Sequence, residues 1–352
     1  MLLENEILRV ENLSASIPFK NGPVTCIDDV SFSLLTGQTL GIIGERESGK
    51  SSLLLSILGQ FERVMQFQLA SAQKLRLMSC LIPPPTQIPA AGDWIDCVRG
   101  KVLYNGEDIT DDHLSGLSFV PEDNRQKAVV EFVGPEYDMG VALRGDDYPP
   151  HILELRNKAI SLFGLEEFVS RARKGKLVAA TLKANQVRKI RILESLMSDP
   201  KLLLIDQPTD MLEVTEIGQL IDLLTYAQEM LGFSMIITSH DVSFFTNFLD
   251  RVAILYAGRI VEVGPTEATI FEPLHPYTKN LMASNPAVIM MHMRRGKKIQ
   301  LRGIPERHID SSNLTSGCVF NPQCEIATEL CKTTRPDSKE FENDRWVSCH
   351  NC

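Results

Sequence analysis

The sequence lacks the features of a membrane-spanning, secreted or nucleic-acid-binding chain. Its longest apolar stretches, such as Lys201–Ile205 and Phe233–Ile237, fall far short of the roughly 18 residues that a transmembrane helix needs. Two acidic residues, Glu4 and Glu6, precede the first arginine, which is wrong for a signal peptide. No long basic run occurs, and 36 Lys and Arg face 45 Asp and Glu, a net charge of −9. Binding to a phosphate backbone needs a concentrated basic surface, so we expect a cytoplasmic protein without a nucleic-acid partner.

Cysteines are few except near the C-terminus. Cys26, Cys80 and Cys97 are scattered, and we interpret them as small apolar side chains. The other five of the eight crowd into the last part of the chain. A reducing cytoplasm disfavours structural disulfides, so this crowding indicates a metal site.

Hydrophobic patterning predicts an α/β protein in which strands alternate with helices. The predicted strands are Ile7–Leu13, Val30–Leu35, Thr39–Ile43, Lys201–Ile205, Ser234–Thr238, Val252–Tyr256 and Arg259–Val263. The predicted helices are Ser51–Leu58, Pro150–Phe163, Asn185–Met197 and Val214–Leu231. The stretch from Gln60 to about Arg99 is irregular and is interpreted as an insertion, and helical periodicity fades after about Asn285.

A phosphate-binding loop follows the third predicted strand. Gly44-Glu45-Arg46-Glu47-Ser48-Gly49-Lys50-Ser51 matches G-x-x-x-x-G-K-S/T between a buried strand and a helix, the context that the motif requires. Its glycines let backbone N–H groups surround phosphates, Lys50 would reach the β- and γ-phosphates, and the Ser51 hydroxyl would bind Mg²⁺. The chain is therefore predicted to bind a nucleotide.

A second element of the site is the apolar run that ends in Asp206. A buried strand that ends in Asp has the Walker B pattern, in which the carboxylate supports Mg²⁺. The residues expected to contact the nucleotide are Gly44, Glu45, Ser48, Gly49, Lys50, Ser51, Ser52 and Asp206. Ser51 and Asp206 are the expected Mg²⁺ ligands.

Further segments resemble the ATP-binding-cassette (ABC) family. Asp206–Thr209 is similar to its D-E-P-T segment, and Ile237–Asp241 is similar to its switch-histidine strand. Leu274–Leu281, with the sequence His-Pro-Tyr-Thr, and the tail from Gly317 to Cys324 resemble ATPase subunits of oligopeptide and dipeptide importers, including the antimicrobial-peptide-associated branch.

The resemblance implies a P-loop NTPase cassette with a mixed sheet core, an antiparallel β portion, a helical subdomain and a small cysteine-rich tail. The nucleotide-binding domain would span residues 1–285, with the helical subdomain at about 120–198, and the extension would span 286–352. Such subunits pair head to tail, sandwich ATP, and drive two membrane permease subunits that receive peptide from a substrate-binding protein. The expected location is peripheral, on the cytoplasmic face of the inner or plasma membrane.

The position of the family's catalytic glutamate holds Gln207. An amide can hydrogen-bond the attacking water but cannot accept its proton, and general-base catalysis contributes about 10²–10⁴-fold. His240, at the switch-histidine position, is retained as the expected γ-phosphate sensor. We therefore assign Gln207 and His240 to the catalytic position and expect slow hydrolysis at this chain's own site.

Other family positions differ as well. The signature segment reads Leu182-Lys183-Ala184-Asn185-Gln186, which has lost the small residues that approach the partner's nucleotide. Pro121 occupies the expected place of a glutamine, and Glu213 stands at the D-loop aspartate position. A homodimer would have two doubly altered sites, so the sequence favours a heterodimer with a homologous, active ATPase subunit.

Four tail cysteines, Cys318, Cys324, Cys331 and Cys349, are expected to bind metal. Four thiolates can hold an iron–sulfur cluster, and the resemblance favours a 4Fe–4S cluster in this tail. The spacing is not that of a zinc knuckle. Zinc and free thiols nevertheless remain open alternatives.

Two other functions remain open for the whole chain. One is a regulatory or structural pseudo-ATPase that binds nucleotide without turnover. The other is a soluble ABC ATPase that is not tied to transport.

Overall fold

The computed structural model describes residues 5–18, 22–59, 97–109, 116–122, 148–174, 182–296, 316–341 and 344–352. The strands are β1 (Glu6–Ile17), β2 (Val24–Leu35), β3 (Thr39–Ile43), β4 (Val98–Tyr104), β5 (Glu107–Asp108), β6 (Leu117–Val120), β7 (Leu202–Ile205), β8 (Ser234–Ser239), β9 (Arg251–Tyr256), β10 (Arg259–Pro265), β11 (Lys339–Phe341) and β12 (Arg345–Val347). The helices are α1 (Lys50–Ile57), α2 (Pro150–Phe163), α3 (Glu166–Arg173), α4 (Ala184–Met197), α5 (Val214–Leu231), α6 (Thr266–Phe271), α7 (Pro276–Ser284), α8 (Pro286–Arg294) and α9 (Glu329–Thr333).

The main sheet has eight strands in the order β11-β12-β10-β9-β3-β8-β7-β6. Its central pairs, β9 with β3, β3 with β8, β8 with β7 and β7 with β6, are all parallel. Strands β3, β7 and β8 are buried at every residue, which explains their continuous apolar sequences. Strands β8, β7 and β6 lie on one side of β3, and β9 lies on the other. At such a change of side, loops that follow the carboxyl ends of the parallel strands face a common crevice.

A second, four-stranded sheet of order β2-β1-β4-β5 packs beside the first and is antiparallel throughout. Its first strand alternates buried and partly exposed residues, as a half-buried antiparallel strand should. One hydrophobic cluster joins this sheet to helix α1 and one face of the main sheet. A second cluster joins the other face to helices α2, α4 and α5.

The ends of the long helices follow from single residues. Helix α2 has Pro150 at its first turn and ends at Gly164, which adopts a left-handed conformation with φ 64°. Helix α5 ends in the same way at Gly232, with φ 71°. The predicted bounds of these two helices and of β3 are confirmed.

Other predicted bounds differ. Strands β1 and β2 are longer than predicted, and β4 begins at Val98, inside the stretch that we interpreted as irregular; residues 60–96 of that stretch lie outside the described residues. Periodicity was expected to fade after Asn285, yet α8 begins at the next residue. The Asn285 side chain caps this helix by accepting hydrogen bonds from the backbone N–H groups of Ala287 and Val288, at 3.0 and 3.3 Å.

The C-terminal residues do not form a separate layer. Strand β12 pairs antiparallel with β10, with Glu262 opposite Val347, and so extends the main sheet. Within the ranges that the structure describes, no helix is long and apolar enough to cross a membrane.

Candidate functional site

The sheet brings the predicted site residues to one edge. Gly44 follows β3, Asp206 follows β7 and His240 follows β8, each at the carboxyl end of a parallel strand. Because Ile43 pairs with Ser239 and Ile205 pairs with Ile237, these three residues emerge at similar heights. Strand pairing thus brings Gly44 close to Asp206 and His240, which lie more than 160 residues later in the sequence.

Two glycines give the phosphate loop its close approach to the protein. A Cβ atom on Gly44 would lie 2.2 Å from the carbonyl oxygen of Leu255. Gly49 has φ +104° and caps helix α1, and a Cβ there would lie 2.5 Å from the carbonyl oxygen of Cys26. Both positions therefore require glycine, and the loop leads directly into a helix N-terminus, which favours phosphate.

Lys50 lies inside the loop and is only 4% exposed. Its Nζ donates to the carbonyl oxygens of Gly44 at 2.8 Å and Glu45 at 2.5 Å, and lies 3.3 Å from Ser48 Oγ. Burial lowers the pKa of Lys50 to about 8, although the nearby Asp206 carboxylate acts in the opposite direction. The ammonium group is thus held by loop carbonyls at the place where phosphates would bind.

Asp206 and Ser51 form an oxygen pair suited to Mg²⁺. Asp206 is 1% exposed, and the Ser51 hydroxyl stabilises the charged form of its carboxylate. Burial raises its pKa, and an Asp206 Oδ1 hydrogen bond from Thr238 Oγ1, at 2.5 Å, opposes that effect. Carboxylate and hydroxyl oxygens are hard ligands of the kind that Mg²⁺ selects, so these residues fit the ion.

Ser52 follows in the first turn of α1. Burial raises the pKa of the nearby Cys26 thiol to about 11, and the Ser52 side chain opposes that effect. Cys26 is therefore a neutral neighbour of the loop, in agreement with its interpretation as a packing residue.

Gln207 and His240 are in direct contact. The Gln207 Oε1 atom lies 3.1 Å from His240 Nδ1, and the Asp210 carboxylate is 3.8 Å from the same nitrogen. Gln207 has φ 48°, and its backbone N–H donates to Thr238 Oγ1 at 2.9 Å. The amide is therefore fixed at the end of β7 beside the histidine.

Thr238 and Arg188 are residues at the site edge that the sequence reasoning did not identify. Thr238 joins Asp206 to the Gln207 backbone. Arg188, on α4 and 5% exposed, donates to the carbonyl oxygens of Pro121, Asp206 and Gln207. Nothing in a single sequence distinguishes this arginine from an ordinary helix-surface cation.

The altered signature segment forms the start of α4. Lys183 precedes the first helical residue, and its backbone N–H donates to Gln186 Oε1 at 2.9 Å. Asn185 Nδ2 donates to Glu216 Oε1 at 3.2 Å, and Lys189 forms an ion pair of 2.6 Å with the same carboxylate. Two positions of the segment are therefore engaged within the chain.

Glu122 brings an additional carboxylate to the site. It lies two residues beyond β6, which pairs with β7 so that Val120 lies opposite Ile205. Burial raises the pKa of Glu122, and the charges of Asp206 and Asp210 raise it further, while Arg188 and Lys50 oppose them. Glu213, by contrast, is exposed and precedes helix α5.

The four tail cysteines influence one another electrostatically, and two of their sulfurs contact other polar groups. Burial raises the pKa of Cys318, and the Cys331, Cys349 and Cys324 thiolates add to this effect. Cys331 Sγ lies 3.4 Å from Thr328 Oγ1, and Cys349 Sγ accepts a hydrogen bond of 3.4 Å from the backbone N–H of Asn351. In the described part of the chain, no group of three or more His, Cys, Asp or Glu side chains is arranged to hold a metal ion. The predicted iron–sulfur cluster, and zinc as its alternative, are therefore not supported.

The fold matches known ABC proteins. A structure of a Clostridium perfringens protein described as part of the ABC transporter complex cbiONQ superposes with a TM-score of 0.50 at 20% identity, covering 76% of this chain and 92% of that one. The parallel sheet, the phosphate loop and the Walker B aspartate define a P-loop NTPase with the ABC cassette fold.

The sequence relatives are more specific. Residues 261–331 match the family model for the oligopeptide/dipeptide transporter, C-terminal region. A putative peptide import ATP-binding protein of Brucella abortus (strain 2308) is 29% identical over 343 residues, 94% of this chain and 90% of the relative. A dipeptide transport ATP-binding protein of Caldanaerobacter subterraneus is 26% identical, covering 98% of this chain and 96% of the relative. The chain thus has the ABC cassette fold and is similar in sequence to the ATP-binding proteins of peptide transporters.

Proposed function

We propose that this chain is the ATP-binding subunit of a peptide-importing ABC transporter. It binds MgATP, acts at the cytoplasmic face of the membrane and works with two permease subunits that receive peptide from a substrate-binding protein. This proposal extends to the chain what its relatives' names state of them. The division at residue 285 between a nucleotide-binding domain, with its helical subdomain at about 120–198, and a C-terminal extension belongs to the same proposal.

Nucleotide binding is supported by the contacts around the phosphate loop. Lys50 Nζ donates hydrogen bonds to carbonyl oxygens of that loop, and the Ser51 hydroxyl lies near the Asp206 carboxylate. When ATP binds, its β- and γ-phosphates would replace the loop carbonyl oxygens as partners of the Lys50 ammonium group. Mg²⁺ would be held by Ser51 and Asp206. The bound ion would neutralise charge on the phosphates. The protein residues would position the phosphates and the ion.

We also propose that the chain's own site hydrolyses ATP slowly. One observation carries this proposal: the side chain beside His240 at the end of β7 is an amide, Gln207. Its Oε1 can orient a water molecule but cannot take up the water proton. The site therefore retains bound ATP and cleaves it slowly. His240 remains placed to contact the γ-phosphate.

The proposed partner is a homologous ATPase subunit with an intact catalytic glutamate. This chain's signature segment has Lys183 and Asn185 where small residues are expected, and Asn185 is already hydrogen-bonded to Glu216. Both composite sites of a homodimer would carry this change together with Gln207. An unlike partner leaves one site with its own general base, which would drive transport.

The decisive experiment measures MgATP binding and steady-state phosphate release for this chain alone and with its candidate partner. The lone chain should bind MgATP with little turnover, and Lys50→Ala should abolish its binding. In the pair, turnover should survive Lys50→Ala in this chain but not the matching change in the partner.

Other results would favour the remaining functions. Binding without turnover in any pairing would favour a regulatory pseudo-ATPase. Ordinary turnover by the lone chain would refute the proposed loss of the base and would direct attention to another carboxylate, Glu122, Asp210 or Glu213; the first two raise the pKa of Lys50 by their charge. A fully active chain whose turnover did not respond to permeases in vesicles would favour an ABC ATPase that is not tied to transport.

A further inference from the structure

Tyr277 connects the C-terminal region to the phosphate loop. It is the second residue of α7, and its side chain is fully buried. The Tyr277 hydroxyl accepts a hydrogen bond of 3.2 Å from the backbone N–H of Glu45, the second residue of the phosphate loop. Burial raises the pKa of the Glu45 side-chain carboxylate, and the Tyr277 hydroxyl opposes that effect. A single phenol oxygen thus holds the backbone of one loop residue and influences the charge of its side chain.

The position of Tyr277 is fixed on its other sides. His275 Nδ1 accepts a hydrogen bond of 3.1 Å from the Tyr277 backbone N–H, which begins α7 at this point. The Tyr277 ring packs against Tyr256, with centroids 4.4 Å apart, and against Phe320, with centroids 5.6 Å apart. These contacts restrain the ring that carries the hydroxyl.

Phe320 belongs to the cysteine-rich tail and has no exposed surface. Its ring also contacts Tyr256, at 5.3 Å between centroids, and His275, at 6.0 Å. A continuous series of direct contacts therefore runs from the tail through Phe320 and Tyr277 to the phosphate loop.

We propose that Tyr277 is a positioning residue for the phosphate loop, and that the tail, through Phe320, sets the affinity for MgATP by holding Tyr277 in place. The inference rests on the proposed binding of MgATP. Without the hydroxyl, the Glu45 backbone N–H loses its hydrogen-bond partner, and the loop loses part of the shape that receives phosphates. The cost then appears as weaker binding, because ATP must reorder the loop.

The test compares two substitutions that each remove one hydroxyl from the same aromatic cluster. Tyr277→Phe should raise the Kd for MgATP about three- to tenfold, the effect of one lost hydrogen bond. Tyr256→Phe is the matched control and should stay within about twofold, since no hydrogen bond joins its hydroxyl to the loop among the described residues. Kd is measured by isothermal titration of the full chain.

Wild type and Lys50→Ala separate failure of this inference from failure of the proposed function. If wild type does not bind MgATP, the proposed function is wrong. If wild type binds, Lys50→Ala does not, and Tyr277→Phe binds like wild type, only the role of Tyr277 is overturned.

Thermal unfolding without nucleotide separates positioning from general stabilisation. A lower midpoint for Tyr277→Phe with unchanged Kd would mean a structural role only and would overturn the proposal. Phe320→Leu leaves the Tyr277 hydroxyl in place and should also weaken binding. The double variant should bind no more weakly than the worse single variant, because both changes act through one hydroxyl; independent, additive effects would overturn the part assigned to the tail.

Discussion

The Gln207 side-chain oxygen lies 3.1 Å from Nδ1 of His240. An amide oxygen can only accept a hydrogen bond, so in this arrangement Nδ1 carries the hydrogen. A neutral ring then has its lone pair at Nε2, and a protonated ring has a donor there. The residue at the general-base position therefore orients the histidine that is expected to contact the γ-phosphate.

Restoring the carboxylate should restore hydrolysis. Gln207→Glu keeps the length and shape of the side chain and adds a group that can take up the water proton. Phosphate release by the chain with its partner should rise by about 10²-fold or more, within the 10²–10⁴-fold range of general-base catalysis. The measurement is kcat at saturating MgATP, with the partner's own site disabled by substitution of its phosphate-loop lysine.

His240→Ala in the Gln207→Glu background is the control and should remove most of the gain. If kcat does not change on Gln207→Glu, another carboxylate already acts as the base. Glu122→Gln would then lower the rate of the otherwise unaltered chain.

Removal of the Arg188 guanidinium should destabilise the site edge. Arg188→Met keeps an extended apolar side chain but leaves three carbonyl oxygens, those of Pro121, Asp206 and Gln207, without this donor. We expect the free energy of unfolding to fall by about 2–4 kcal/mol. Urea denaturation measures this, and Arg99→Met, at an exposed position of β4, should change it by less than about 0.5 kcal/mol. Equal effects of the two changes would show that the Arg188 contacts contribute nothing to stability.

Glu262 and Arg345 should act as a unit that fastens the C-terminal strands. The Glu262 carboxylate is fully buried and accepts from Arg345 Nη2 at 2.9 Å and from the backbone N–H of His275 at 2.9 Å. Arg345→Met leaves the carboxylate without its cation and should cost about 3–5 kcal/mol. Proteolysis of the C-terminal strands should accelerate correspondingly.

Removing both charges should be less harmful than removing one. In Glu262→Gln/Arg345→Met no uncompensated charge is buried, so part of the lost stability should return. A double variant that is less stable than Arg345→Met would contradict the argument, since its loss could not then come from the unpaired carboxylate.

Stability should decrease in mild acid because of His275. Burial lowers the pKa of His275 to about 3, from an ordinary value of 6.5, and the charge of Lys279 contributes. Between these two values the unfolded chain binds a proton that the folded chain excludes. The stability contributed by the neutral ring is therefore complete above pH 6.5 and is lost as the pH falls toward 3.

His275→Asn isolates this effect, because asparagine can cap α7 but does not titrate. Between pH 7 and pH 5, wild type should lose about 2 kcal/mol more unfolding free energy than the variant, at about 1.4 kcal/mol per pH unit below 6.5. Parallel curves for the two proteins would mean that His275 is protonated in the folded state. In that state its Nδ1 could not accept from the Tyr277 N–H, and Glu262, which contacts the His275 backbone, would face a cation.

Much of the fold could be predicted because local patterns are strong there. Continuous apolar runs gave the buried parallel strands, and the glycines at 164 and 232 marked the ends of two long helices. Helix α8 was missed although Asn285 and Pro286 form a good helix start, since its nine residues have little clear periodicity. The tail cysteines are a different case: their crowding near the C-terminus suggested a metal, and the described sulfurs do not support that prediction.

The sequence by itself determined the phosphate loop, the Walker B aspartate and the amide at position 207, because each depends on residue type at a fixed local spacing. Tertiary structure alone decided that Arg188 holds three carbonyl oxygens of the site edge, that Thr238 joins Asp206 to Gln207, and that Tyr277 reaches Glu45 from 232 residues away. The physical reason is that hydrogen bonds between distant segments depend on strand order and helix packing, which place groups together without leaving any periodic trace in the chain.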